Sequence, residues 1–297
     1  MALVQGWVGR LLGRIAQTDV DGGRCLGSIP FSFRCGTRSS RDWLTLESAD
    51  IESSHWNADK RIHLLRWHDP MNSLACEMEL AEFADVPALE WVVRLRNDSC
   101  ADTDPVSAFA ALDLVWKCAN AEEMPELRRS LGSDGRHDDF QYRRDELRQS
   151  MWGAGKVHTL RMDSEHNNAF RHVRNGSHMP IDGRPSATWM PFFNLCTGAD
   201  GLIGAVGWGG QWFAEFAHDG KGTTAISAGM EHLSARLHPK ETIRSPRMVL
   251  LYWQGDPVHG HNLLRRFLLE HPSPRIGGEQ AQTPICNGSW GGTPTQS

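Results

Sequence analysis

The stretch Met190 to Phe216, MPFFNLCTGADGLIGAVGWGGQWFAEF, decides the fold. Phe192 to Cys196 and Leu202 to Val206 are apolar runs of strand length, separated by Thr197-Gly198-Ala199-Asp200-Gly201. The Asp200-Gly201 pair suits a tight turn, because glycine takes a positive φ with no Cβ to clash. The sequence therefore predicts two strands joined by a turn. Gly207-Trp208-Gly209-Gly210-Gln211-Trp212 follows, where glycines let backbone approach closely beside two large indoles.

That motif has two physical readings. Flat indole faces stack on the apolar side of a sugar ring while the Gln211 amide meets its hydroxyls, which makes Trp208, Gln211 and Trp212 candidate substrate-binding residues. In the plainer reading both indoles are core, each burying roughly 150 to 250 Å², or about 4 to 6 kcal/mol apiece at about 25 cal/mol per Å².

Outward from this stretch the chain reads as strands. Ile29 to Phe33 opens them, Ser39 to Leu46 leads into a polar strand, and Ile62 to Trp67 follows. In Leu74 to Leu80, Leu74, Cys76, Met78 and Leu80 alternate with Ala75, Glu77 and Glu79, the period of a strand with one wet face. Leu89 to Arg96 continues the series. Phe109 to Lys117 places Ala111, Asp113 and Val115 on one face and Ala110, Leu112, Leu114 and Trp116 on the other. Between Ala121 and Arg148 the chain turns charged and loses period, which predicts loops; Asp138-Asp139 beside His137 reads as a solvated excursion. Four histidines between Val157 and Arg184 lack ligand spacing.

Later strands are predicted at Phe213 to Phe216, Thr224 to Gly229, Leu233 to Leu237 and Met248 to Trp253. A helix then starts at Asp256-Pro257, with Leu263, Leu264, Phe267 and Leu268 on its apolar stripe. His259 and His261 diverge in its first turn by roughly 200°, which disfavours a shared metal.

With 297 residues and 40% hydrophobic content the chain can bury a sizeable core. A net charge of −5 and scattered basic residues give no nucleic-acid footprint. Seven widely spaced cysteines form no C-x-x-C pair, which predicts reduced thiols in a cytoplasm rather than a disulfide or zinc framework. No stretch approaches the twenty or so apolar residues of a spanning helix. Twelve tryptophans against two tyrosines fit a β-rich, carbohydrate-handling protein.

Several ordered motifs carry a family resemblance. Pro30-Phe31-Ser32-Phe33, Leu89-Glu90-Trp91, Leu95-Arg96-Asn97-Asp98, Gly183-Arg184-Pro185-Ser186, Pro191-Phe192-Phe193-Asn194, Ile203 to Trp212, Ala228-Gly229-Met230-Glu231, Ile243 to Arg247 and Asn262 to Phe267 resemble, in that order, the N-terminal β-domain of glycoside hydrolase family 36, the α-galactosidases. The resemblance implies a mainly β protein, a large antiparallel β-supersandwich with few short helices, over residues 26–275. Residues 1–25 would be an extension. Residues 276–297 would be a linker and the first strand of a truncated (β/α)₈ barrel, with Trp290 on the loop at its active-site end.

The same resemblance implies a parent enzyme that removes terminal α-linked galactose with retention, through two aspartates that this sequence does not contain. No residue here is assigned catalysis, a metal or a cofactor; Glu215, Glu231 and Asp256 lie near family motifs without a catalytic role. The expected partners are a catalytic barrel domain, galactosides bound through it, and further copies of the chain, with no nucleic acid and no membrane. The alternative is a stand-alone carbohydrate-binding module. One departure bears on local structure: Pro239-Lys240-Glu241 stands where relatives often have Pro-Gly-Glu, which puts a glycine turn there in doubt.

Overall fold

The computed structural model describes residues 29–46, 48–54, 59–69, 71, 73–118, 122, 124–132, 137, 139–147, 158–161, 185–186 and 189–281. Its strands in chain order are β1 (Ser32–Cys35), β2 (Arg38–Ser39), β3 (Asp50–Ser53), β4 (Lys60–Asp69), β5 (Leu74–Phe83), β6 (Ala88–Asn97), β7 (Val106–Lys117), β8 (Glu126–Leu131), β9 (Tyr142–Glu146) and β10 (His158–Arg161). They continue with β11 (Trp189–Thr197), β12 (Asp200–Gly207), β13 (Trp212–His218), β14 (Thr223–Met230), β15 (Ser234–Ala235), β16 (Thr242–Arg244), β17 (Arg247–Gln254), β18 (Arg275–Ile276) and β19 (Glu279–Gln280). One α-helix stands among the described residues, α1 (Pro257–Glu270), between β17 and β18.

The larger antiparallel sheet runs β3-β4-β5-β6-β17-β12-β11-β8-β9, with β16 also paired to β6. The smaller runs β10-β13-β14-β7-β1-β2, with β15 also paired to β7. Their facing sides share one core. Leu74, Cys76 and Met78 of β5, Trp91, Val93 and Leu95 of β6, and Leu250 and Tyr252 of β17 meet Leu112, Leu114 and Trp116 of β7, Trp212 and Phe216 of β13, and Ile226 of β14. The Trp91 indole crosses the interface and donates to the Ala111 carbonyl at 2.9 Å. This is the expected β-sandwich.

A second, smaller core lies on the outer side of the large sheet, where Leu264 and Phe267 of α1 cover Phe83, Ile203, Leu251 and Trp253. The central strands are therefore apolar on both faces. β5 shows the consequence: Leu74, Cys76 and Met78 alternate inward as predicted, but Leu80 is only half-buried, while Ala81 and Phe83 are buried under the helix. The Asp256 carboxylate caps α1 by accepting from the Val258 amide at 2.7 Å. Leu268, predicted on the buried stripe, is 41% exposed. Gly260 takes part in the contact instead, because an added Cβ would sit 2.6 Å from the Trp253 ring.

Other expectations are corrected. The β11–β12 turn is Gly198-Ala199, since Thr197 and Asp200 already pair; Gly198 takes φ 71°, and Asp200-Gly201 begins β12. The charged segment read as loop holds the β8–β9 hairpin at the edge of the large sheet. Ser39 to Leu46 forms a 3₁₀ turn at Ser40–Asp42 with a capping box rather than a strand. In β7 the predicted phase fails at Ala110 and Ala111: Ala228 and Gly229 of β14 pair with Leu112 and Ala110, so Ala111 is the extra residue of a bulge and turns into the core.

At the start of the stretch expected as a linker, β18 and β19 form a short hairpin that folds back on α1. Ser273 Oγ donates to the Leu268 carbonyl at 2.5 Å, Gln280 Nε2 to that of Leu269 at 2.6 Å, and Arg275 Nη2 to that of Glu270 at 3.0 Å. These are carbonyls that a helix end leaves without partners. Pro239-Lys240-Glu241 keeps its turn, with Lys240 itself at φ 67°.

Candidate functional site

The Trp208–Trp212 segment does not form an open platform. Trp212 alternates inward on β13, is fully buried, and donates its indole N–H to the Pro185 carbonyl at 2.7 Å. A ring with both faces packed offers none to a sugar, so the stacking role read for Trp212 gives way to the core reading. Trp208 is half-buried against the same core, Gln211 is exposed, and Trp290 lies outside the described residues.

A concavity opens beside this segment, on the outer face of the smaller sheet. Its volume is about 470 Å³, and its lining includes Phe213, Glu215, Ser227, Met230, Glu231 and His232. The strand register explains the gathering: Glu215 of β13 lies opposite Ser227 of β14, which lies opposite Asp113 of β7. Beside it β7 carries one bulge against β14 and another against β1, between Ser32 and Arg34. Ala108 in β7 and His232 beyond β14 take φ 48° and 53°, left-handed conformations that non-glycine residues rarely adopt.

Three carboxylates approach this face in different states. Asp113 accepts from the Ser32 hydroxyl and from Arg41. The Glu231 side chain is 5% exposed, lies 3.4 Å from His232 Nε2, and is anchored through its amide to the Gln211 carbonyl at 3.3 Å. Glu215 is half-buried beside Phe213. Among the described residues the concavity is lined by an aromatic ring, a hydroxyl and two carboxylates.

Two other places gather charged side chains. A dip of about 330 Å³ on the outer face of the large sheet holds Arg66, Arg94 and Arg96. Each is paired: Arg66 with Glu52 and Glu77 at 3.1 Å, Arg94 with Glu79 at 3.2 Å, and Arg96 with Asp98 at 2.7 Å. It is a charge-balanced surface. At the end of α1, Asp85, Glu270 and His271 bring ligand-type atoms within 4.8 Å of one another. His271 there lies 3.1 Å from Asp85 and 3.5 Å from Asp59, with its ring on Phe83, so the cluster pins the helix end to the sheet.

Nearer the start of α1, hydrogen-bond logic fixes a tautomer. Trp253 Nε1 can only donate, and it donates to Asn194 Oδ1 at 2.9 Å. The Asn194 amide nitrogen then donates to His261 Nε2 at 3.1 Å, so that ring nitrogen carries no proton. Burial and then the Arg128 guanidinium push the His261 pKa below its ordinary value. Burial is also the main cause that raises the Cys35, Cys76 and Cys196 thiols, with Cys196 pushed up to about 12.

Fold and concavity together define a class, a two-sheet antiparallel sandwich with a helix on one outer face. No family model matches the sequence, and no curated protein matches it. Solved structures do share the fold. An α-galactosidase from Lactobacillus brevis superposes with a TM-score of 0.60 at 12% identity, over 86% of this chain and 33% of that one. The GH36 α-galactosidase AgaA from Geobacillus stearothermophilus gives 0.52 at 13% identity, over 76% and 30%. The galactosidase domain of the α-galactosidase-sucrose kinase AgaSK gives 0.54 at 15% identity, over 76% and 30%. The chain thus spans about a third of the length of each, and its fold is one that occurs within GH36 α-galactosidases. Among the described residues no helix is long and apolar enough to cross a membrane.

Proposed function

We propose that this chain is the non-catalytic β-sandwich portion of an α-galactosidase-type glycoside hydrolase that releases terminal α-linked galactose with retention. The observation that carries this reading is the fold match, which takes in most of this chain and about a third of each α-galactosidase. Its partner is a catalytic barrel domain, through which galactosides are engaged, and copies of the parent enzyme associate with one another.

The wide spacing of Glu215 and Asp113 is in keeping with the non-catalytic part. Retention needs two carboxyl groups about 5 to 5.5 Å apart. On the outer face of the small sheet, Glu215 and Asp113 stand two strand spacings apart, about 9.5 Å along the sheet, and Asp113 is committed to Ser32 and Arg41. The test is turnover of an aryl α-galactoside by the purified 297-residue chain. None is expected, and hydrolysis above a buffer blank that purifies with the chain overturns the assignment.

A further inference from the structure

At the β3 edge of the large sheet, three strands bring a hydroxyl, an imidazole and a carboxylate into line. Ser53 of β3 lies opposite His63 of β4, which sets both side chains on the face that also carries Leu65 and Trp67 into the core. Ser53 Oγ stands 2.7 Å from His63 Nδ1, and His63 Nε2 stands 3.0 Å from Glu82 Oε1 of β5. We infer that this row is an acyl-transfer site for short-chain carboxylic esters. Ser53 is its nucleophile, His63 the base that takes the hydroxyl proton, and Glu82 the residue that positions the ring.

Hydrogen-bond logic sets the direction of the row. A carboxylate only accepts, so His63 Nε2 carries the ring proton and donates to Glu82; Nδ1 of the neutral ring is left to accept from the Ser53 hydroxyl. Arg61, opposite Glu82 in register, leaves its buried Nε without an acceptor, and the Glu82 carboxylate serves His63 instead. A plain ion pair would need only His63 and Glu82. The hydroxyl on the far side of the ring completes the set of nucleophile, base and orienting group that acyl transfer uses. Exposure suits these roles: Ser53 is exposed, while the His63 and Glu82 side chains are 15% and 18% exposed. The Ser54 amide bonds the Ile62 carbonyl at 2.8 Å, so by the alternation of an antiparallel ladder the Ser53 amide points off the edge. There it is a donor for the ester oxygen that gains charge.

The chemistry balances with water alone. Ser53 Oγ attacks the ester carbonyl carbon as its proton passes to His63 Nδ1; the bond to the alcohol oxygen then breaks, and that proton leaves with the alcohol. Water repeats the sequence on the acyl-serine, releasing the acid and restoring the hydroxyl. Glu82 steadies the imidazolium through Nε2 in both halves. All four residues of β3 are exposed, so the nucleophile meets its ester at the surface, which favours a short acyl group.

The experiment gives the intact chain p-nitrophenyl acetate and, separately, a fluorophosphonate that labels nucleophilic serines, with the labelled residue located by peptide mass spectrometry. Release of p-nitrophenolate above a buffer blank and label on Ser53 are expected. Ser53→Ala, on an exposed strand, should leave the melting temperature unchanged and lower release at least about tenfold; His63→Gln should do the same to release and stop the labelling. Glu82→Gln should lower kcat several-fold with KM unchanged, which loss of a structural ion pair alone would not do. No label on Ser53, release undiminished by Ser53→Ala, labelling unchanged in a folded His63→Gln, or an unchanged kcat in Glu82→Gln overturns the proposal. It goes beyond the α-galactosidase reading, which concerns the glycosidic bond and is tested on an aryl α-galactoside, so each can fail alone.

Discussion

Lys240 shows how one residue can keep a turn that the sequence put in doubt. Its amide bonds the Asn97 carbonyl at 2.9 Å and its φ is 67°, so the turn stands although glycine is missing. A left-handed non-glycine residue carries a strain of about 1 kcal/mol or more. Lys240→Gly should therefore raise stability by about 1 kcal/mol, less what glycine adds to the freedom of the unfolded chain. Urea denaturation reads this as a higher midpoint at unchanged slope. Gly260 is the opposite case. Gly260→Ala drives a methyl to 2.6 Å from the Trp253 ring and should cost about 1 to 3 kcal/mol. Gly209→Ala, which meets nothing within 4 Å, is its control and should stay within about 0.5 kcal/mol of the parent.

At the scale of the element, α1 is held by a proton-sensitive contact. His261 has a folded pKa below its usual 6.5, from burial and then Arg128. The groups facing it are Asn194, Arg128, Tyr142 with its ring 6.4 Å away, and Asp256 at the helix cap. A depressed histidine stabilises the fold fully above its unfolded pKa, and that share is lost as pH falls through 6.5 toward the folded value. Protonation also removes the acceptor that Asn194 uses. Between about pH 7.5 and about pH 5.5 the parent should lose more melting temperature than His261→Gln, which keeps an acceptor and does not titrate. Equal losses in the two proteins would remove His261 from the account.

What the sequence showed and hid also sorts by element. The strands of Met190 to Phe216 were legible because apolar runs and turn residues lie side by side. The β8–β9 hairpin was not. Its Arg128, Arg129, Arg143 and Arg144 form facing pairs on an edge, and its stability comes from β11 alongside and from ion pairs such as Arg129 with Asp145, none of which is local in sequence. The bulge at Ala111 depends on where β14 lies and leaves no mark in β7 itself. The concavity escaped for the same reason, since Glu215 comes to lie opposite Ser227 only through register. Its faint signal was a carboxylate and a hydroxyl at outward positions of apolar strands. The Trp208–Trp212 motif was legible as fold, but the inward turn of Trp212 was not, because only the strand phase says which indole points into the core.

For the whole molecule, long-range pairing governs folding. β17 sits in the middle of the large sheet between β6 and β12, although more than a hundred residues separate it from β6 in sequence. The Ser245 hydroxyl just before it accepts from the Val93 amide at 2.9 Å. A chain ending at residue 246 would lack a central strand and the whole of α1, and should show no cooperative unfolding by near-ultraviolet circular dichroism. The intact chain should refold on the slow scale of non-local β topologies, milliseconds to seconds.

The β18–β19 hairpin has a mechanical meaning. Arg275 and Gln280 of the hairpin, with Ser273 just before it, bond the last carbonyls of α1, and α1 is in turn seated on Trp253 at the middle of the large sheet. Force applied to the backbone at Ala281 is shared among those bonds before it reaches the strands. The hairpin works as a cleat, so that a tug from that side first unzips a two-residue ribbon and spares the sandwich.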